Sequence, residues 1–279
     1  MAKSSVNLVA LQMVSTPEPS ENLTWVEQQL QELSLDVPTL VVLPECFVCF
    51  GGGDKRLLDV AEEPGEGDIQ SNLAKLARQY GVYLVAGTVP LLAAQADKFT
   101  ASCLMYGPDG KQLAHYRKIH LFDVQVEDNT RSYLESRYTQ AGNKVVVVDT
   151  PFGRVGLAVC YDVRFPGLFQ AMGEVDIITL PAAFTKVTGK AHWQSLLSAR
   201  AIEKQCYIVA PNQGGVHANG RETYGHSAIL SPWGETLALI EEGPGMIMAT
   251  TEPGELARIR QSMPVAQHNQ FRSQLIEAG

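Results

Sequence analysis

An α/β fold with mixed sheets covered by helices is what this sequence predicts, and three observations carry that reading. Short β-rich runs alternate with amphipathic helical stretches along the chain. Three tight turns, Gly107-Pro-Asp-Gly110, Pro151-Phe-Gly153 and Pro232-Trp-Gly234, each separate two strand-like runs and read as hairpins. A chain that mixes β–α units with hairpins needs parallel and antiparallel pairing together, which excludes an all-parallel doubly wound sheet.

The elements follow in order. Residues 6–13 predict a strand. Residues 21–33 predict a helix, with Leu23, Val26, Leu30 and Leu33 on one face and Ser20 or Asn22 as its cap. Residues 39–43 predict a buried strand and 69–80 a helix that Gly81 stops. A strand at 83–88 precedes the first hairpin, 101–106 with 112–116. Residues 123–142 form a long irregular stretch, and such stretches in compact domains are often functional. The second hairpin pairs 145–149 with 154–159. Residues 165–173 predict a short helix with Pro166 in its first turn, and 176–180 a strand. Residues 192–205 predict a helix with Trp193, Leu196, Leu197, Ala201 and Ile202 inward. A strand at 207–210, the third hairpin (228–230 with 236–240), a strand at 247–251 and a helix at 253–261 complete the chain. No Pro-, Gly- or Ser-rich linker and no repeat divides it, so residues 1–279 are expected to form one domain.

Composition narrows the function classes. With 279 residues and 45% hydrophobic content the chain supports a large core. Its net charge is −8 and no local run of Lys or Arg offers a phosphate-binding footprint, which argues against nucleic acid. No apolar run approaches the roughly 18 residues that span a bilayer, and the first ten residues make a poor secretory leader. Five Cys without framework spacing suit a reducing compartment, so a soluble cytoplasmic protein without membrane association is expected.

Three chemically loaded residues sit at the mouths of predicted strands. Glu45 closes Leu40-Val-Val-Leu-Pro-Glu45, Lys118 lies in Tyr116-Arg-Lys-Ile-His-Leu-Phe-Asp123, and Cys160 lies in Gly156-Leu-Ala-Val-Cys-Tyr-Asp-Val-Arg-Phe-Pro166. Each has an ordinary reading: a solvated turn acid, a surface basic turn and a small buried hydrophobe. Taken together, an acid, an amine and a thiol on one sheet rim supply a proton shuttle, an oxyanion partner and a nucleophile. The Tyr161 N–H just past the thiol can point at a bound oxygen, and the start of the next helix favours a thiolate. Glu135, in the irregular stretch, is a further candidate acid. Cys46-Phe-Val-Cys49 has no second pair or spaced His to make a zinc site. Gly51-Gly-Gly53 lacks the Lys-Ser/Thr of a phosphate loop and reads as a turn. No His is singled out among six, which leaves a Cys–His hydrolase as a distant alternative.

In these contexts and this order, Glu45, Lys118 and Cys160 resemble the nitrilase superfamily of carbon–nitrogen hydrolases over nearly the whole chain. Leu180-Pro-Ala-Ala-Phe-Thr185, Thr188-Gly189, Ala191-His-Trp193, Ala199-Arg-Ala-Ile-Glu203, Met263-Pro-Val265 and His268 are similar to its Nit branch of amidases. Gly167, where that family usually has Glu, departs from it. The resemblance implies a four-layer α-β-β-α sandwich (the nitrilase fold), with two mixed sheets between helix layers. It also implies a homodimer and no metal or organic cofactor. Catalysis would use Glu45, Lys118 and Cys160, with Glu135 positioning Lys118 or the substrate, and would turn a primary carboxamide into an acid and ammonia through a cysteine thioester.

Deaminated glutathione, then α-ketoglutaramate and succinamate-like ω-amides, are the substrates that branch suggests. Nitrile or N-carbamoyl hydrolysis by the same residues is the alternative, and an idle binding module is a reading of another class. A substrate carboxylate would be held by Arg164, helped by the Thr188 hydroxyl, with Phe184 completing the substrate-binding set. A salt bridge from Arg164 to a neighbouring acid stands as the competing reading.

Overall fold

The computed structural model describes residues 4–276 except 35, 96, 129 and 253. The chain opens with β1 (Asn7–Gln12), α1 (Pro19–Gln31), β2 (Thr39–Val42), α2 (Asp54–Asp59), α3 (Asp68–Tyr80), β3 (Tyr83–Leu92), β4 (Phe99–Tyr106) and β5 (Gln112–Arg117). A two-stranded ribbon follows, β6 (Asp123–Gln125) with β7 (Ser132–Leu134). Next come β8 (Val147–Thr150), β9 (Gly153–Leu157), α4 (Pro166–Ala171), β10 (Ile177–Thr179), α5 (Lys186–Lys204) and β11 (Tyr207–Ala210). The chain continues with β12 (Ser227–Leu230), β13 (Thr236–Ile240), β14 (Gly245–Thr250), α6 (Glu255–Ser262) and α7 (Val265–His268).

Two six-stranded sheets result, ordered β14-β1-β2-β3-β4-β5 and β13-β12-β11-β10-β9-β8. Each has three parallel strands at its centre, β1-β2-β3 and β9-β10-β11, flanked by antiparallel neighbours. Period-two alternation sorts the first sheet into layers. Val9, Leu11, Val41, Leu43, Leu84 and Leu104 face out and bury against Val26 and Leu30 of α1 and Leu73, Leu76 and Ala77 of α3. Leu8, Ala10, Leu40, Val42, Val85 and Met105 face in and join the core of the second sheet, which α5 covers through Trp193, Leu197 and Ala201. The order of layers is helix, sheet, sheet, helix, the expected sandwich. No helix among the described residues is long and apolar enough to cross a membrane.

Several local expectations are corrected. Neither Ser20 nor Asn22 caps α1. The helix starts at Pro19, whose missing N–H costs nothing at that position, and the Glu18 side chain at the cap bonds Arg56 rather than the helix N–H groups. Asn22 is buried inside the helix, bonding the Thr16 backbone and the Val48 carbonyl. Residues 123–142 are not wholly irregular, since they hold the β6–β7 ribbon and a 3-10 turn at Glu135–Arg137. α5 begins at Lys186, earlier than predicted, and Ile202 on it points outward, 53% exposed. The predicted helix start at Pro253 lies outside the described residues.

Candidate active site

Two parallel strands, β2 and β9, the antiparallel edge strand β5 and the turn at Glu135 deliver the site. Past β2 the chain runs on to Glu45 and turns sharply at Cys46, whose φ is +54°, and whose N–H donates to Thr88 Oγ1 at 2.8 Å. The turn can pack this tightly on β3 because residue 87 is Gly, where a Cβ would overlap the Pro44 carbonyl. Past β9, the Cys160 N–H donates to the Pro181 carbonyl at 2.8 Å, and the backbone again turns through a positive φ, +48°. Such a conformation costs a non-Gly residue about 1–3 kcal/mol and persists only where its surroundings impose it. Lys118 follows β5, tied by its N–H to the Ala101 carbonyl and by its own carbonyl to the Gly142 N–H.

The three side chains meet in one buried cluster, with the residues 5%, 2% and 6% exposed for Glu45, Lys118 and Cys160. Lys118 Nζ lies 2.7 Å from Glu45 Oε1 and 2.8 Å from Glu135 Oε2, so a single ammonium bridges two carboxylates. Glu45 Oε2 accepts the Ala183 N–H at 2.9 Å, and its carbonyl accepts the Gln213 amide at 3.0 Å. Glu135 Oε2 accepts the Phe122 N–H at 2.6 Å. Glu135 thus contacts Lys118 directly.

The electrostatics follow from burial. Burial and then the adjacent Glu45 carboxylate hold the Cys160 thiol well above its usual range, with Lys118 opposing only in part. This setting favours a neutral thiol at Cys160, against the expectation of a helix-favoured thiolate. The element that starts at Cys160 is only a 3-10 turn, Cys160–Arg164, ahead of the six-residue α4. Burial alone would lower Lys118, but Glu135 and Glu45 outweigh it and hold the ammonium charged. Burial raises Glu135 against the pull of Lys118. A thiol beside a carboxylate and a fixed cation can lose its proton to the acid as it attacks. The resulting oxyanion would find Lys118 and the Tyr161 N–H, which lies in the first turn, where N–H groups lack partners within the turn.

Asp162 organises this rim, and the sequence reading assigned it no role. Fully buried, it accepts from the Val159 N–H (2.8 Å), the Tyr116 hydroxyl (2.7 Å) and the His120 N–H (3.2 Å), and it contacts His120 Nδ1 at 2.7 Å. It thereby ties the Cys160 turn to the Lys118 segment. His120 is spent on this bond and on stacking with Phe165 at 3.8 Å. Among the described residues no group of three His, Cys, Asp or Glu side chains is placed to hold a metal ion.

A cavity of about 170 Å³ opens over the cluster and is lined by Glu45, Lys118, Glu135 and Cys160. Phe184 and Thr188 line it too, the Thr188 hydroxyl bonded to Thr185 at 2.8 Å. Arg164 is not among its lining residues. It sits 5.2 Å above the Phe184 ring and 5.8 Å from that of Tyr161, with Nη1 3.2 Å from His192 Nδ1, and makes no ion pair among the described residues. The cavity also takes in Cys46, Cys49 and the Gly51–Gly53 turn, and residues that sequence reasoning missed: Phe50, Tyr133 and Arg221. The one available signal for Arg221 was the length of its connection, residues 211–226.

The chain is similar to known proteins along most of its length. Residues 7–261 match the carbon–nitrogen hydrolase family. The chain is 40% identical over 275 residues to a deaminated glutathione amidase of Yersinia enterocolitica, covering 98% of this chain and 96% of that protein. It is 35% identical over 268 residues to an ω-amidase of Xenopus tropicalis, covering 95% and 94%. The crystal structure of the NitFhit protein of C. elegans aligns with a TM-score of 0.88 at 33% identity, covering all of this chain and 70% of that one.

Proposed function

This chain belongs to the carbon–nitrogen hydrolase family, and from that premise we propose that it is an amidase working through a cysteine thioester. The observation that carries the reading is the convergence of thiol, carboxylate and ammonium on one cavity wall, with Lys118 2.7 Å from Glu45. Cys160 attacks the amide carbonyl while Glu45 takes the thiol proton. The oxyanion is held by Lys118 and the Tyr161 N–H. Glu45 returns the proton to the departing nitrogen, then activates the water that cleaves the thioester. Glu135 keeps Lys118 in place.

The relatives' names support deaminated glutathione as first substrate and ω-amides such as α-ketoglutaramate as second. These share an acyl half that ends in a carboxylate. Ammonia is the leaving group for primary carboxamides alone. The amide of deaminated glutathione is N-substituted, so its leaving group is the amine of a dipeptide, and an ammonia assay would miss it.

Two further expectations belong to this reading. The free cysteines fit the cytoplasm. The outward Val187 and Ile202 of α5 give a partner subunit apolar surface to cover, and sedimentation measures whether a homodimer forms.

The test is the acid product, followed chromatographically for deaminated glutathione, α-ketoglutaramate, succinamate, a nitrile and an N-carbamoyl amino acid. Acid-quenched protein is weighed for an acyl adduct on Cys160. Cys160→Ala is expected to lower turnover about 10⁴-fold or more and to abolish the adduct. Substantial acid release by Cys160→Ala would refute the mechanism.

A further inference from the structure

The cavity has a second charged residue that the reaction does not use. Arg221 lines it on the segment between β11 and β12. Its guanidinium lies 4.9 Å from the centre of the Phe50 ring and 4.7 Å from that of Tyr133. A wall of rings leads to it from the nucleophile's neighbour, Tyr161 to Phe122 at 5.1 Å and Phe122 to Tyr133 at 5.2 Å. Stacking engages the faces of the guanidinium and leaves its in-plane N–H donors free. Among the described residues none of these donors has an acceptor, and Nε is buried. Arg221 has no carboxylate partner there either.

The segment that carries Arg221 is held firmly. Gln213 pairs with Met13, just past β1, and bonds the Glu45 carbonyl, and Thr223 bridges to Thr185. The His217 N–H donates to the Arg221 carbonyl at 2.9 Å. The arginine is thus anchored to the same backbone that holds the catalytic acid. Charge gives it a purpose. Glu45 and Glu135 against one Lys118 leave the reaction end negative, which disfavours an anionic substrate unless a cation receives its charge elsewhere in the cavity.

We propose that Arg221 receives the acyl-side carboxylate of the substrate, so that the site takes amides whose acyl chain ends in a carboxylate and discriminates against neutral amides of similar length. This rests on the amidase reading for its account of what lies over Cys160. A planar fork with open donors matches a carboxylate in a bidentate pair. Arg164, which is absent from the cavity lining and is engaged by His192 and by the rings of Phe184 and Tyr161, is the less suited of the two arginines.

The experiment compares succinamate with butyramide, its uncharged relative, and measures succinate binding by calorimetry. Arg221→Gln is expected to lower the ratio of kcat/KM for succinamate over butyramide about 10²-fold, chiefly through KM, and to weaken succinate by a similar factor. Arg221→Lys, which keeps the charge and loses the fork, should recover part of both. Denaturation midpoints of each variant separate lost recognition from lost folding. An unchanged ratio, unchanged succinate affinity, or a collapse in Arg164→Gln instead would overturn the proposal, as would failure of the native protein to bind succinate. Should the native protein bind succinate but hydrolyse no amide, the amidase reading falls, and succinate affinity in Arg221→Gln alone decides the role of Arg221.

Discussion

The two ends of the cavity are built differently. At the reaction end every charged group is occupied: Lys118 bridges two carboxylates, Glu45 also accepts the Ala183 N–H, and Glu135 also accepts the Phe122 N–H. At the Arg221 end the guanidinium is braced only by rings, and its donors find no acceptor among the described residues. A reacting group must hold one geometry before substrate arrives, because misplacement by an ångström costs orders of magnitude in rate. A recognition group keeps its hydrogen bonds for the ligand. The contrast predicts that variants at the first end lose kcat and stability, whereas those at the second lose apparent affinity.

Glu45→Gln should break the reaction end most visibly. Removal of a general base costs about 10²–10⁴-fold in turnover. The thiol should respond with the opposite sign. Glu45 raises the Cys160 thiol and Lys118 opposes it, so loss of the carboxylate shifts thiolate formation to lower pH. The pH profile of iodoacetamide alkylation measures this, and a profile moved to higher pH would show that Glu45 does not set the state of the thiol. Lys118→Ala comes next, with about 10²–10³-fold in kcat for a lost oxyanion donor. It also leaves Glu45 and Glu135 facing each other without their cation. Glu135 is already raised in the folded state. An acid raised on folding contributes stability below its unfolded pKa and loses it as pH climbs through its folded one. The stability deficit of Lys118→Ala, read as the denaturation midpoint, is therefore expected to be smaller near pH 5 than near pH 8. A deficit independent of pH would mean that the two acids do not sense one another.

The reaction end was legible in the sequence because strands spell it out. Apolar runs that stop at Glu45 and Cys160 mark the mouths of parallel strands, and Lys118 follows the antiparallel edge strand β5, whose last residues run to the same rim. The other end was not legible, since its residues lie on connections shaped by distant contacts. Arg221 is positioned by bonds from Gln213 to Ser15 and Glu45 that no local pattern announces. The start of α5 was hidden in the same way. Gly189 lowers helix propensity there, yet a Cβ at that position would overlap the Tyr224 ring. The glycine answers to tertiary packing rather than to the local helix. Asp162 stood in plain view beside Cys160, but a fully buried carboxylate reads as surface polar until its donors, drawn from residues 116, 120 and 159, are brought round it by the fold.

Asp162 gives the sharpest test of the contrast, because it supports the reaction end without touching the reacting atoms. Asp162→Asn keeps the size and one carbonyl oxygen but puts an N–H₂ where the Tyr116 hydroxyl or the Val159 N–H donated. At least one buried donor then loses its acceptor, at about 1–3 kcal/mol, which corresponds to a Tm lower by roughly 2–12 °C for a chain of this size. The Cys160 turn, held in its positive-φ conformation with help from Asp162, would be held less tightly. A drop in kcat of about tenfold, smaller than for Glu45→Gln or Lys118→Ala, is the matching expectation, with KM for succinamate nearly unmoved. The same variant read by calorimetry should bind succinate as the parent does, since the proposed anion site depends on a different segment of chain. If Asp162→Asn weakened succinate as strongly as Arg221→Gln, the two ends would be one coupled unit, and the division between fixed chemistry and open recognition would fail.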